Sequence, residues 1–253
     1  MDFSKLLERA QKMQEEMMKA QADLETQEFE ASVGGGIPII RPLINDLASN
    51  EIEGICGILN GTTNYILTQM IAGATFENAL KEAQAKGYAE ANPAADVEGK
   101  DAARKTVILG AIASGKLVSP EDISTEGITN ISLCDVELAQ ALGYSIKLIG
   151  HAEDRDGKLL AFVSPMAVPE ANPLARIDGV FNGILVNANM VGDVMFYGPG
   201  AGKLPTASAV VADILDILSG RSTDRRLPHW TVAGEGEVAD ASLLSCRRVY
   251  LFE

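Results

Sequence analysis

Apolar and polar residues alternate with several different periods along this chain, and each change of period predicts an element. Over residues 1–27, Phe3, Leu6, Ala10, Met13, Met17, Ala20 and Leu24 recur at steps of three and four, with Lys, Arg, Glu and Gln between them. That is the stripe of a long amphipathic, coiled-coil-like helix. Such a helix cannot bury its stripe alone, so it is expected to pair with itself or fold back on the body. Its methionines suit an adaptable contact. From Glu30 the pattern changes, and Gly34, Gly35 and Gly36 precede a helix expected near Pro38. An apolar run over 52–59 reads as a strand, broken by Asn60-Gly61-Thr62-Thr63-Asn64 and followed by an apolar helix from Tyr65.

Asn92-Pro93 disfavours helix, so the helix carrying 83–86 should stop near Gly87. Asp96 then reads as the N-cap of a second helix that runs through Asp101, Lys105 and the apolar stretch 107–112 to 114–115. Beyond it the pattern predicts a connecting stretch over 123–131, a helix over 136–142 and strands over 145–152 and 159–168, joined as a hairpin through 154–157. A further strand pair is expected over 179–190 and 192–197, then a glycine loop over 198–206, a helix over 207–218 and a strand-like end at 248–252. The fold class expected from this order is α/β of the α+β type. It is a mixed β-sheet with helices packed on one face, preceded by the long N-terminal helix. Three segments are expected: the helix over 1–28, a body over 29–220 and a tail over 221–253.

Composition narrows the functional classes. With 253 residues the chain can bury a substantial core, and 47% hydrophobic with 22% charged residues is ordinary for a soluble globular protein. No apolar run reaches the roughly 18 residues that span a membrane, and Met1 leads into a charged segment that does not resemble a signal peptide. A cytoplasmic location is expected. A net charge of −14 and a pI near 4.6 repel a phosphate backbone, so general nucleic-acid binding is not expected, although Arg221, Arg225 and Arg226 lie close together. Cys56, Cys134 and Cys246 are widely spaced, which fits a reducing compartment and neither a disulfide framework nor a zinc site. His151 and His229 are isolated, so a histidine metal site or catalytic triad is not expected.

The richest chemistry lies over 83–105, A-Q-A-K-G-Y-A-E-A-N-P-A-A-D-V-E-G-K-D-A-A-R-K. Here Glu90, Asp96, Glu98 and Asp101 mix with Lys100, Arg104 and Lys105 around Gly87, Pro93 and Gly99. Asp101 and Lys105 are four apart and share one helix face, so they can converge on one small molecule. A lysine beside carboxylates at a loop-to-helix junction is a sensible proton donor and acceptor. The same residues also read as a solvated face with structural ion pairs. The Asn60–Asn64 segment follows a buried strand, where α/β folds place ligands, and can equally be N-capping by Thr62 or Thr63. After the last strand pair comes G-P-G-A-G-K-L-P-T, Gly198 to Thr206. A Walker loop needs four residues between Gly and Gly-Lys and then Ser or Thr; three intervene here and Leu204 follows, so a nucleoside-triphosphate site is not expected.

These segments together resemble the homoserine dehydrogenase family over about Glu30 to Leu218. Ala83, Gly87, Tyr88, Ala89, Asn92, Pro93, Asp96, Val97, Gly99, Asp101 and Lys105 fall where that family's pattern wants them, and G-P-G-A-G-x-x-P-T-A-S-A-V matches its return segment. The resemblance implies NAD(P)-dependent interconversion of L-homoserine and L-aspartate 4-semialdehyde, in threonine, methionine and isoleucine biosynthesis. It implies Lys105 as the catalytic proton donor. Glu90 and Asp101 would hold the substrate ammonium, with Asp96, Thr62 and Tyr88 also at the substrate. Gly87 and Gly202 would approach the nicotinamide end of NADP or NAD. Glu30, Val33, Gly35 and Ile37, in E-x-x-V-G-x-G-I-P, would give mostly main-chain oxygens to a monovalent cation, usually Na+ in this family. The resemblance further implies a small-molecule amino-acid substrate, a homodimer or higher homo-oligomer, and a tail that begins a regulatory domain.

The family's dinucleotide-binding unit needs a strand, a G-x-G-x-x-G turn, a helix and an acidic residue within about 30 residues. The residues before Glu30 contain no glycine. That domain also supplies the family's second catalytic lysine, so turnover by this chain is expected to be impaired. The alternative is a non-catalytic homo-oligomeric binding or assembly module that retains the substrate pocket. The opening M-D-F-S-K-L-L-E-R-A-Q-K-M-Q-E-E-M-M-K-A-Q resembles the first helix of the YbaB/EbfC nucleoid-associated family, whose members are DNA-binding dimers.

Overall fold

The computed structural model describes residues 37–219, 231–234 and 236–240. The helix expected over 1–27, the candidate cation ligands Glu30, Val33 and Gly35, and the strand-like end at 248–252 lie outside these residues.

A six-stranded mixed sheet organises the body, in the order β3-β5-β4-β1-β6-β7. The strands are β1 (Ile52–Ile58), β3 (Ser124–Thr125), β4 (Tyr144–Arg155), β5 (Lys158–Pro169), β6 (Phe181–Ala188) and β7 (Gly192–Pro199). A second, two-stranded sheet pairs β2 (Lys116–Leu117) with β8 (Thr231–Val232) in parallel. All pairings in the large sheet are antiparallel except β3 with β5. The hairpin expected through 154–157 is present. Asp156 (φ 55°) and Gly157 (φ 76°) form its two-residue turn, the left-handed pair that matches strand twist, and Asp154 Oδ1 accepts the Gly157 N–H at 2.8 Å. The first strand among the described residues sits between β4 and β6, so the end of β1 opens at the middle of the sheet.

Helices α1 (Gly61–Ile71), α2 (Phe76–Ala85), α3 (Ala94–Val97) and α4 (Lys100–Ser114) follow one another between β1 and β2, and α5 (Leu133–Ala141) lies between β3 and β4. Period-two alternation in β4 sends Ile146, Leu148 and Ala152 to the helical side, where they pack with Ile66, Leu67 and Met70 of α1, Ala102, Ala103 and Val107 of α4, and Val136 of α5. Burying each large side chain is worth about 1.5–3 kcal/mol. Helix α4 lies hard against the sheet: a Cβ on Gly150 would collide with Thr106 and Leu59. The opposite face packs Ile58, Ile149 and Val168 under the 3₁₀ turn Pro173–Arg176, with Cys56, Met166, Leu185 and Met195 partly buried beside it. A third cluster joins Leu59, Leu109, Ile184 and Val186 to Ile37, Ile39, Leu43 and Leu47 of the entering segment.

Lys147 of β4 is fully buried, and its Nζ donates to Ile177 O at 2.6 Å, Asp178 Oδ1 at 3.0 Å and Asn64 Oδ1 at 3.4 Å. Asn64 Nδ2 donates in turn to Ile177 O and Phe181 O, each at 3.0 Å. Burial pushes the Lys147 pKa down and Asp178 opposes that shift. This network fastens α1 to the 177–181 segment.

Three expectations need correction. Helix α1 starts at Gly61, not Tyr65, because the Asn60 side chain accepts the Thr63 N–H at 2.9 Å and caps the helix there, in place of Thr62 or Thr63. Asp96 caps nothing. It lies inside the one-turn α3, Gly99 adopts φ 80° and α4 begins at Lys100. The Val97 carbonyl, which a continuous helix would give to residue 101, accepts the Ile128 N–H at 2.8 Å instead. The last long helix, α6 (Lys203–Leu218), starts four residues before 207. It exposes Leu204, Val210, Val211, Ile214, Leu215, Ile217 and Leu218, and Asp213 pairs with Arg41. No helix among the described residues is long and apolar enough to cross a membrane.

Candidate active site

Charged residues from α3 and α4 meet where β1 ends. Leu59 and Asn60 follow β1 directly, and the Leu59 carbonyl accepts Lys105 Nζ at 3.2 Å. Lys105 Nζ also pairs with Asp101 Oδ2 at 2.8 Å, across one turn of α4. The periodicity of 3.6 puts the two side chains on one face, as their spacing predicts. Asn60 Nδ2 then donates to Asp96 Oδ1 at 2.7 Å and to Asp101 Oδ2 at 2.8 Å. The result is a continuous chain of contacts, Asp96–Asn60–Asp101–Lys105–Leu59 O. Burial pushes the Asp96 pKa up, the nearby Asp101 charge adds to that, and the hydrogen bond from Asn60 opposes it.

Thr62, one residue into α1, donates its hydroxyl to Tyr88 O at 2.5 Å and so joins the helix start to the 87–93 loop. The Tyr88 ring is 43% exposed and stands edge-on to Tyr65, with ring centroids 5.0 Å apart. Tyr65 is itself held by Glu82 and Lys86, each 2.8 Å from its hydroxyl. Glu90 is exposed on the same loop, and its main-chain oxygen accepts Gln84 Nε2 at 3.0 Å. A hollow of about 660 Å³ lined by Glu98, Lys100, Arg104, Glu121, Ile123 and Thr125 lies beside this cluster and includes none of Asp96, Asp101 or Lys105 in its wall.

Residues 38–215 match the homoserine dehydrogenase family. The chain belongs to that family. The homoserine dehydrogenase of Neisseria gonorrhoeae is 49% identical over 205 residues, covering 80% of this chain and 47% of that protein, and the Synechocystis homoserine dehydrogenase is 50% identical over 195 residues, covering 75% and 45%. The chain thus spans about half the length of the curated relatives it matches. Among solved structures, a homoserine dehydrogenase from Thiobacillus denitrificans superposes with a TM-score of 0.73 at 46% identity over 82% of this chain and 48% of that one. A hyperthermophilic archaeal homoserine dehydrogenase in complex with NADPH superposes with a TM-score of 0.64 at 31% identity over 76% and 55%. Residues 1–39 match the YbaB/EbfC DNA-binding family.

The structure brings together three of the homoserine dehydrogenase-like candidates, Asp101 and Lys105 by an ion pair and Asp96 through Asn60, and links Thr62 to Tyr88. Gly87 (φ 73°) follows α2 and a Cβ there would meet nothing within 4 Å, so the backbone is open to a close neighbour. Gly202 (φ 127°) precedes α6 and is exposed. Of the cation candidates only Ile37 is described; it is buried, and its carbonyl accepts the Ile39 N–H at 2.8 Å. Among the described residues no group of three or more His, Cys, Asp or Glu side chains could hold a metal.

Sequence reasoning missed Asn60 and Asn182. The signal for Asn60 was its place directly after a buried strand and before a helix, which serves equally for a cap and a ligand site. Asn182 in β6 is 1% exposed, and neither its amide nitrogen nor its oxygen has a partner among the described residues. Its amide lies against Gly200 of the glycine loop on one side and near Gly61 on the other. Nothing local in the sequence marks it.

Proposed function

We propose that this chain carries the substrate-holding and proton-transferring part of a homoserine dehydrogenase, acting on the L-homoserine and L-aspartate 4-semialdehyde pair. The observation that carries this reading is Lys105 Nζ 2.8 Å from Asp101 Oδ2 at the end of the central strand, inside the family-matched region. The Lys105 ammonium donates a proton to the alkoxide that forms as hydride adds to the semialdehyde carbonyl, and in the reverse direction the neutral Lys105 amine takes the hydroxyl proton of homoserine. Both described contacts of Asp101 fall on Oδ2, so Oδ1 is the oxygen that would take the substrate ammonium, together with the Glu90 carboxylate. Thr62 and Tyr88 line the same entrance through their shared hydrogen bond.

NAD(P), when bound, would supply the hydride acceptor. Gly87 and Gly202 fit its nicotinamide end, since both expose backbone in conformations that favour glycine and Gly87 leaves open space. The Ile37 carbonyl keeps one lone pair after its bond to Ile39 N–H and could give it to a monovalent cation such as Na+. Residues 29–220 are read as the catalytic and dimerisation body and 221–253 as the start of a regulatory segment. A homodimer or higher homo-oligomer belongs to the same reading.

Calorimetric titration with L-homoserine, paired with a spectrophotometric assay of homoserine oxidation with NADP, tests the reading. Binding with turnover is the expected result. Binding without turnover makes the chain a non-catalytic substrate-binding module, and no binding overturns the assignment.

A further inference from the structure

The side-chain amide of Asn60 is engaged at both ends. Its Oδ1 accepts the Thr63 N–H at 2.9 Å and lies 3.1 Å from the Thr63 hydroxyl, which fixes which end of the amide is oxygen. Its Nδ2 therefore has two hydrogens facing the other way, and each finds a different carboxylate, Asp96 at 2.7 Å and Asp101 at 2.8 Å. Those carboxylates come from different helices, separated by the left-handed break at Gly99. They are 36 and 41 residues from Asn60 in the chain. Two carboxylates this near one another repel unless a donor stands between them. The charged groups that face Asp96 are Asp101, Lys105 and Arg104. Lys105 is already held by Asp101 and Leu59 O, and the neutral donor to Asp96 is Asn60.

We propose that Asn60 is a positioning residue of this site, which holds Asp96 and Asp101 side by side and thereby keeps Asp101 on Lys105. The substrate it serves, an amino-alcohol, rests on the homoserine reading above; the clamp itself does not. Asn60 so performs two separable tasks. Its oxygen caps α1 and its nitrogen clamps the carboxylates. Serine caps a helix about as well as asparagine. A serine at position 60 keeps the bond to Thr63 N–H but has a single donor on a shorter side chain, and cannot reach both acids.

Asn60→Ser separates the tasks. Its α1 cap is expected to persist, so the melting temperature falls only by what the lost donors to the two carboxylates cost, while the Asp96 carboxyl, followed by 13C NMR across a pH titration, moves to a higher midpoint because it loses a donor. L-homoserine affinity is expected to fall about ten-fold or more, the loss of a hydrogen bond to a charged group. A serine variant that titrates and binds as the wild type does overturns the proposal and leaves Asn60 a helix cap alone. Should that variant fail to fold, the wild type decides. The Asn60 side-chain NH2 resonances are expected to exchange slowly with solvent and to shift with the Asp96 titration, and fast exchange with no such shift overturns the clamp. If the wild type binds no L-homoserine, the substrate reading fails, and the two NMR measurements still decide the role of Asn60.

Discussion

Lys105 Nζ stands 2.8 Å from Asp101 Oδ2, one turn along the same helix, while Leu59 O holds the ammonium from the end of β1 at 3.2 Å. Both side chains are partly buried, at 20% and 27% exposure, so the pair is neither freely solvated nor sealed from a ligand. An ion pair that solvent still reaches in part contributes only modestly to stability. Lys105→Ala should accordingly leave the melting temperature near the wild-type value and reduce homoserine oxidation by about 10²-fold or more. A large loss of stability with preserved turnover would assign the lysine to structure.

The Asp96 carboxyl gives a pH dependence whose sign follows from burial. Its pKa is pushed up in the fold, first by burial and then by Asp101. The folded protein therefore holds this proton to a higher pH than the unfolded chain does. As pH rises from the ordinary carboxylate value through the raised one, stability falls, and the full cost of the buried charge is present above it. Asp96→Asn keeps an oxygen for Asn60 and removes the charge. Thermal melts across this range should show that the variant loses the Asp96 share of the decline and is at least as stable as wild type at neutral pH.

Gly200 has no room for a side chain. A Cβ there would stand 2.5 Å from Cγ, Nδ2 and Oδ1 of Asn182. Gly200→Ala must push the glycine loop off β6 or displace the buried amide, an overpacking penalty of about 1–3 kcal/mol. Gly198→Ala is the control, since its nearest neighbour would be Ile37 Cγ1 at 3.5 Å. Chemical denaturation should separate the two, and equal midpoints would show that the loop yields freely.

Lys147 is the largest fully buried polar side chain and ties β4 to Ile177 O and Asp178. Lys147→Ala removes the packed stem together with these bonds, and about 3 kcal/mol or more of stability should be lost. Urea unfolding measures it. Because Asn64 still donates to Ile177 O and Phe181 O, α1 should stay attached, and L-homoserine affinity in the folded state should change less than stability does.

Much of the framework was legible from local patterns. The strand at β1, the Asp-Gly hairpin of β4 and β5, the helix end at Gly87 and the shared face of Asp101 and Lys105 all depend on neighbours a few residues apart. The break at Gly99 was not read, although a glycine marks it, because the deciding partner is Ile128, which takes the Val97 carbonyl from another segment. The start of α1 was misplaced by four residues because the apolar run begins only at Tyr65, whereas the cap Asn60 is polar and serves two masters at once.

The sequence by itself determined that an acid and a lysine share a helix face behind a proline-bent loop, because helix geometry links positions four apart regardless of what surrounds them. It also carried enough fixed positions to name the family. Only the tertiary structure decided that β1 runs down the middle of the sheet and delivers Asn60 between two carboxylates from separate helices. That outcome depends on strand order and on the burial of Leu59 and Thr106 against Gly150, contacts between distant segments that no local period encodes.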